Sequence, residues 1–190
     1  MKRVGVVLFI GLIIVSCNQN VDSENAVEQA TKKIEVEEVL QIDENTDYSE
    51  IGFQLMETES IGSLKLEMKV EDIEIATGEP HDVTDFEYWG ADGYEHQSRF
   101  YQDSTIDIDF IKLDNGDIVS NMIFIKNNPE FKTSNNVGVG STTQDIIKAY
   151  NGQISDFSNS STIVGTIYGG IFFYLDDDKV TSFFLGASTE

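Results

Sequence analysis

Few side chains in this sequence could carry covalent or acid-base chemistry. Cys17 is the single thiol, and His81 and His96 are the two imidazoles in 190 residues. A nucleophile needs a neighbouring base, and two carboxylates sharing acid and base roles need contrasting environments. Neither histidine stands in a metalloprotease helix motif or near a glycine-flanked serine, so both are expected in loops or at strand edges, and no catalytic residue is assigned. Carboxylates are plentiful. Asp114, Asn115 and Asp117 form one cluster and Asp176, Asp177 and Asp178 another, and hard cations such as calcium bind oxygens of this kind. Their spacing does not fit the calcium-binding helix-loop-helix, and each falls where a hairpin turn is expected, so solvated turns are expected and no metal ligand or cofactor is assigned. The densest set of recognition-type side chains is aromatic: Phe86, Tyr88, Trp89, Tyr94, Phe100 and Tyr101 lie between Glu79 and Asp103. Some of these rings must be core. Tyr88, Trp89 and Tyr94 are the expected contacts for a protein partner.

The elements that position these residues begin with a leader. Lys2 and Arg3 precede an apolar or glycine run from Val4 to Val15, which is followed by Ser16 and Cys17, the order of a secretory signal. The run of 12 residues is too short to span a bilayer as a helix. Ile14-Val15-Ser16-Cys17 resembles the bacterial lipobox, and the resemblance implies diacylglycerol on the Cys17 thiol, cleavage on its amino side and acylation of the freed amine. Residues 1–16 are then a signal peptide, and the membrane is a partner through lipid on Cys17. Two or three fatty chains hold a protein stably where one does so only marginally. Cleavage would leave 10 of the 12 basic side chains against 34 acidic ones, a formal charge of -24. Nucleic acid is not expected as a partner of so acidic a chain. With Cys17 used for lipid there is no second thiol for a disulfide, so stability must come from an apolar core.

Residues 17–50 are rich in Asn, Glu, Asp and Ser and read as a solvated acidic tether, with a short helix considered over 26–40. Residues 51–190 have the texture of one folded domain. Within it one short pattern occurs twice. Leu66, Asp72, Ile73 and Ala76 match Val139, Asp145, Ile146 and Ala149 at an offset of 73. Each copy predicts a short strand, a turn and one helix of two to three turns, the second capped by Ser141 and Gln144 and stopped at Gly152. In the first copy Met68 replaces the cap, Ile73, Ala76 and Thr77 make the apolar face, and Gly78 with Pro80 ends the helix. Antiparallel strands follow. Ile106, Ile108 and Phe110 alternate with Asp107 and Asp109, predicting one buried face and one wet face. Asn115-Gly116 predicts a two-residue hairpin turn leading into Ile118 to Ile125. The second copy repeats this as Ile171 to Leu175, a turn over Asp176 to Lys179, and Val180 to Leu185. Here Ile118 and Ser120 match Val180 and Ser182 at an offset of 62, so the first copy carries about eleven extra residues.

The expected fold class is therefore α+β: two tandem repeats, about 60–126 and 132–190, each a short helix or helices packed on an antiparallel sheet. Leu66, Met68, Glu71, Asp72, Ile73, Gly78 and Pro80 make this region resemble the module of the SmpA/OmlA envelope-assembly lipoproteins and, in tandem, of the β-lactamase inhibitor proteins. The chain departs from that pattern in having Glu67 where glycine is usual and in lacking a disulfide pair. The resemblance implies a lipid-anchored cell-envelope protein, at the outer membrane or the outer face of the cell membrane, working as a non-catalytic binding or assembly module with an envelope protein partner. Fold alone does not transmit an activity, so an envelope hydrolase or glycan-processing enzyme using surface carboxylates, and an acidic divalent-cation-binding lipoprotein, stand as alternatives.

Overall fold

A computed structural model describes residues 42–188. The signal segment, Cys17 and the helix considered over 26–40 lie outside the described residues. Among the described residues there are three helices and nine strands, an α+β architecture with one antiparallel sheet. No helix among the described residues is long and apolar enough to cross a membrane.

Helix α1 (Tyr48–Thr58) opens inside the segment read as tether, because the Asp47 carboxylate accepts from the backbone N–H groups of Ser49 and Glu50 and caps it. It lies through Gly52 on the two strands Ser161–Thr166 and Gly169–Asp176. A Cβ at that position would stand 2.0 Å from the Gly169 carbonyl oxygen, so only a bare Cα permits the approach. Helix α2 (Val70–Thr77) follows N-cap Lys69, whose side chain makes no capping bond. Of the expected face only Ile73 is buried; Ala76 is exposed and Thr77 half-buried. Helix α3 (Thr143–Ala149) is better anchored, burying Thr143, Ile146 and Ile147. Its capping box is Thr142 with Asp145, not Ser141 with Gln144: the Thr142 hydroxyl accepts from Asp145 N, and the Asp145 carboxylate accepts from Thr142 N. The Ser141 hydroxyl is used one step earlier, accepting from Gly138 N.

The strands are β1 (Asp82–Val83), β2 (Glu87–Tyr88), β3 (Glu95–Tyr101), β4 (Ile106–Lys112), β5 (Ile118–Lys126), β6 (Ile154–Phe157), β7 (Ser161–Thr166), β8 (Gly169–Asp176) and β9 (Lys179–Gly186). Their order is β1-β3-β4-β5-β9-β8-β7-β6, with β2 also paired to β3. One rim is thus two strands of two residues each, and the other is β6, whose pairing to β7 is interrupted by a register shift. The β4–β5 connection differs from the predicted two-residue turn. Leu113 N bonds Asp117 O and Gly116 N bonds Leu113 O, giving a three-residue loop with Gly116 at φ 87. The β8–β9 turn places Asp177 and Asp178 at φ 45 and 62, as a tight hairpin turn requires.

The core occupies one face of the sheet. Ile106, Ile108, Phe110, Ile123 and Ile125 from β4 and β5, and Ile171, Phe173, Phe183 and Leu185 from β8 and β9, cluster with Leu55, Ile73 and Ile146 of the helices. Beneath the helices, buried Glu59 receives Ser60 N and Ser134 N on Oε1 and the Tyr150 hydroxyl on Oε2. Burial pushes the Tyr150 phenol up.

The loops entering α2 and α3 make matching bonds. Glu67 N bonds Ser120 O at 2.7 Å and Ser120 N bonds Met68 O at 2.9 Å; Gly140 N bonds Val180 O at 2.8 Å and Val180 N bonds Ser141 O at 2.9 Å. Glu67 and Gly140 both have positive φ, 62 and 87. Ser120 and Val180, which receive these bonds, lie 60 positions apart.

Candidate functional site

The second face of the sheet carries no described helix. Strand alternation determines its residues. Since Ile108 and Ile106 point to the core, Asp107 and Asp109 point away from it, as do their register partners in the neighbouring strands. Followed across the sheet, one row runs Phe100 (β3), Asp107 (β4), Phe124 (β5), Phe184 (β9), Phe172 (β8) and Ile163 (β7), each directly opposite the next. Asp107 is the one polar side chain in that row. At about 4.8 Å per strand spacing the row extends for roughly 24 Å. Phe172 and Phe184 stack with centroids 5.5 Å apart, and the Tyr174 ring meets Phe172, Phe184 and Phe124 at 4.8, 6.4 and 6.3 Å. Ile163 and Phe184 are buried yet stand outside the core cluster.

The expectation of a wet Asp107/Asp109 face fails for a local reason. Asp109 is only 4 % exposed, because the hairpin formed by β2 and β3 folds over it. His96, 2 % exposed in β3, places Nδ1 at 2.8 Å from Asp109 Oδ2 and Nε2 at 2.8 Å from Asp92 Oδ2. The Trp89 ring stacks on the imidazole, with centroids 3.7 Å apart and planes 11° from parallel. Asn121, at the register shift in β5, donates to Asp109 Oδ2 at 3.2 Å, while Asp109 Oδ1 is buried without a partner. Burial pushes the Asp109 carboxyl up, opposed by its bonds from His96 and Asn121. Each imidazole nitrogen thus faces one carboxylate oxygen. Burial also pushes the Asp107 carboxyl up to about 6, reinforced by the Asp109 charge.

This network is structural in its geometry. With both imidazole nitrogens engaged by carboxylates, His96 has no free nitrogen to take a proton from a nucleophile. Asp92 and Asp109 approach the ring from its two different nitrogens and do not converge on a point, and among the described residues no three His, Cys, Asp or Glu side chains form a metal-holding group. His96 is thus a buried strand residue, not a loop or edge one. His81 is exposed and meets Ser104 Oγ at 3.1 Å. The first acidic turn is engaged locally: Asp117 pairs with Lys69 at 3.0 Å and accepts from Asn115 Nδ2, and both bonds hold its carboxyl low. A groove of about 660 Å³ beside α3 is lined in part by Lys132, Lys148 and Asp145, but the Asp145 carboxylate is already committed to the capping box.

Tyr88, Trp89 and Tyr94 are brought together at the β2–β3 hairpin, where Trp89 N bonds Tyr94 O. Tyr88 and Tyr94 are exposed, at 67 % and 37 %. Trp89 turns inward onto His96, so its ring is mostly spent on the network. The sequence reading did not identify the Phe100-to-Ile163 row, though alternation contained half of it: any hairpin partner of Asp107 faces the same way. No protein-family model, no curated protein and no solved structure matches this chain.

Proposed function

We propose that this chain is a lipid-anchored cell-envelope lipoprotein acting as a non-catalytic binding module, engaging a protein partner through the sheet face that carries no described helix. The observation carrying the reading is the cross-strand row of four phenylalanines and an isoleucine centred on that face. Phe100, Phe124 and Phe172 of the row are half-buried, and a partly open aromatic row of this extent is of the kind that interaction sites use. Exposed Tyr174 extends it on the same face, and Tyr88 and Tyr94 are exposed at the neighbouring β2–β3 hairpin. The leader and Cys17 supply the anchor, by their resemblance to a lipobox.

We read the domain as two tandem repeats joined edge to edge at β5 and β9, as in the envelope modules it resembles. The matched bonds of Glu67 and Met68 with Ser120, and of Gly140 and Ser141 with Val180, support this, as does the start of α2 and α3 at an offset of 73. On this reading β1 and β2 are the differentiating insertion of the first repeat.

The test uses the full chain in its own membranes. Cross-linking and capture should recover one protein stoichiometrically. A Phe172→Ser/Tyr174→Ser double variant that still folds should lose it, and Tyr88→Ala/Tyr94→Ala should weaken it. Unchanged recovery from the double variant would remove the sheet face from consideration. Cys17→Ala should leave the protein out of the membrane fraction; continued sedimentation with membranes would overturn the anchor.

A further inference from the structure

The chain twice builds the same three-part arrangement, a cation laid over an aromatic ring and held by a carboxylate. Arg99 Cζ lies 5.4 Å from the Phe110 centroid, and its Nη1 donates to Glu74 at 3.1 Å. Lys112 Nζ lies 5.6 Å from the Phe86 centroid and donates to Glu95 at 2.8 Å. A third place has the ring and carboxylate members without the cation. Asp107 stands directly between Phe100 and Phe124 in the cross-strand register. Among the described residues no hydrogen bond or ion pair reaches its carboxylate. The base that alternates onto this face near it, Lys126, lies in a different row, opposite Ser182.

We propose that Asp107, flanked by Phe100 and Phe124, is the receptor for an arginine side chain of the protein partner. The inference rests on the reading that this sheet face binds protein, and names the chemistry of what it binds. Two strand spacings separate the flanking phenylalanines, roughly 9.6 Å, enough for a planar group to stand between the rings above the carboxylate. Arginine suits this better than lysine, because guanidinium is flat, weakly hydrated, stacks on aromatic faces and offers paired donors to a carboxylate. Asp109 Oδ1, one pleat along the same strand and face, is a second buried acceptor with no donor. The formal charge of -22 on the whole chain favours approach of a basic segment and disfavours an acidic one.

The experiment uses the full chain in detergent micelles, with the peptide acetyl-Gly-Arg-Gly-amide and its citrulline counterpart as probes, read by NMR chemical shifts. Citrulline keeps the shape of arginine without its charge. The arginine peptide should shift the Phe100, Asp107 and Phe124 resonances saturably, and the citrulline peptide should bind about tenfold more weakly or worse. Asp107→Asn and Phe124→Leu should each weaken the arginine response about tenfold while melting no lower than a few degrees below the parent. An equal response to citrulline, an undiminished response in folded Asp107→Asn, or shifts confined to another surface would overturn the assignment. Capture from membranes separates the two levels. Loss of the partner in Phe172→Ser/Tyr174→Ser with full retention in Asp107→Asn refutes the arginine receptor alone, and retention in both refutes the binding face itself.

Discussion

A carboxylate in the middle of a phenylalanine row works against folding unless something outside the chain pairs with it. Burial pushes Asp107 up to about 6 from an ordinary 3.8, so the folded state holds that proton more tightly than the unfolded state does. The resulting stability is complete below about pH 4 and is lost as pH rises through about 6. At about 1.4 kcal/mol per pH unit, discounted because the side chain is only half-buried, the loss is on the order of 1–2 kcal/mol. Asp107→Asn should therefore raise the urea midpoint at pH 8 by that equivalent and leave it nearly unchanged at pH 4. The same gain at both pH values would show that the carboxylate is not desolvated. Alternation along β4 correctly put Asp107 and Asp109 on one face. It could not show that Trp89, just past the end of β2, would return to cover His96 and bury Asp109, because that contact depends on how the hairpin folds back over the sheet.

At the level of elements, the positions of α2 and α3 were readable from the repeated pattern because a helix of two to three turns needs few residues, and those residues recurred. Their caps were readable only to within one position. Thr142 and Asp145 satisfy the free donors of α3 as Ser141 and Gln144 would have done one place earlier. Helix α1 was missed altogether, since its first turn falls in the segment read as tether and its attachment depends on Gly52 lying against Gly169, a contact distant in sequence. Where the two helix entries differ, a stability difference is expected. Glu67 holds a left-handed backbone that costs a non-glycine residue roughly 1 kcal/mol, whereas Gly140 holds it freely. Glu67→Gly should stabilise the protein by about 0.5 kcal/mol or more, and Gly140→Ala should destabilise it by about 1 kcal/mol, since a Cβ there meets nothing within 4 Å and only the backbone is strained. Denaturant midpoints with unchanged slope check both; a destabilised Glu67→Gly would mean that its side chain has a role the geometry does not reveal.

The described residues 42–188 are held by one core that crosses the β5–β9 seam, where Ile123 meets Leu185 and Ile125 meets Phe183. The Glu59 bonds to Ser134 N and Tyr150 tie the two halves again on the helix side. Unfolding should therefore be one transition. The single tryptophan reports on the β2–β3 rim, while far-ultraviolet circular dichroism reports on all strands, and the two curves should coincide in urea. Separated midpoints would show the halves coming apart independently. The α+β class was evident from the texture of the sequence. The joining of all the strands into one sheet was not, because the β5–β9 pairing closes a long loop for which no local pattern codes.

The unevenness of the two rims has a colloidal consequence. An open sheet edge offers a row of free N–H and C=O groups on which a like molecule can add its own strand, and growth of that kind leads to fibrils. Here one border is broken into two dipeptide strands and the other bends at a register shift, so neither presents a straight template. A molecule packed densely among its own copies is thereby protected against self-templated polymerisation.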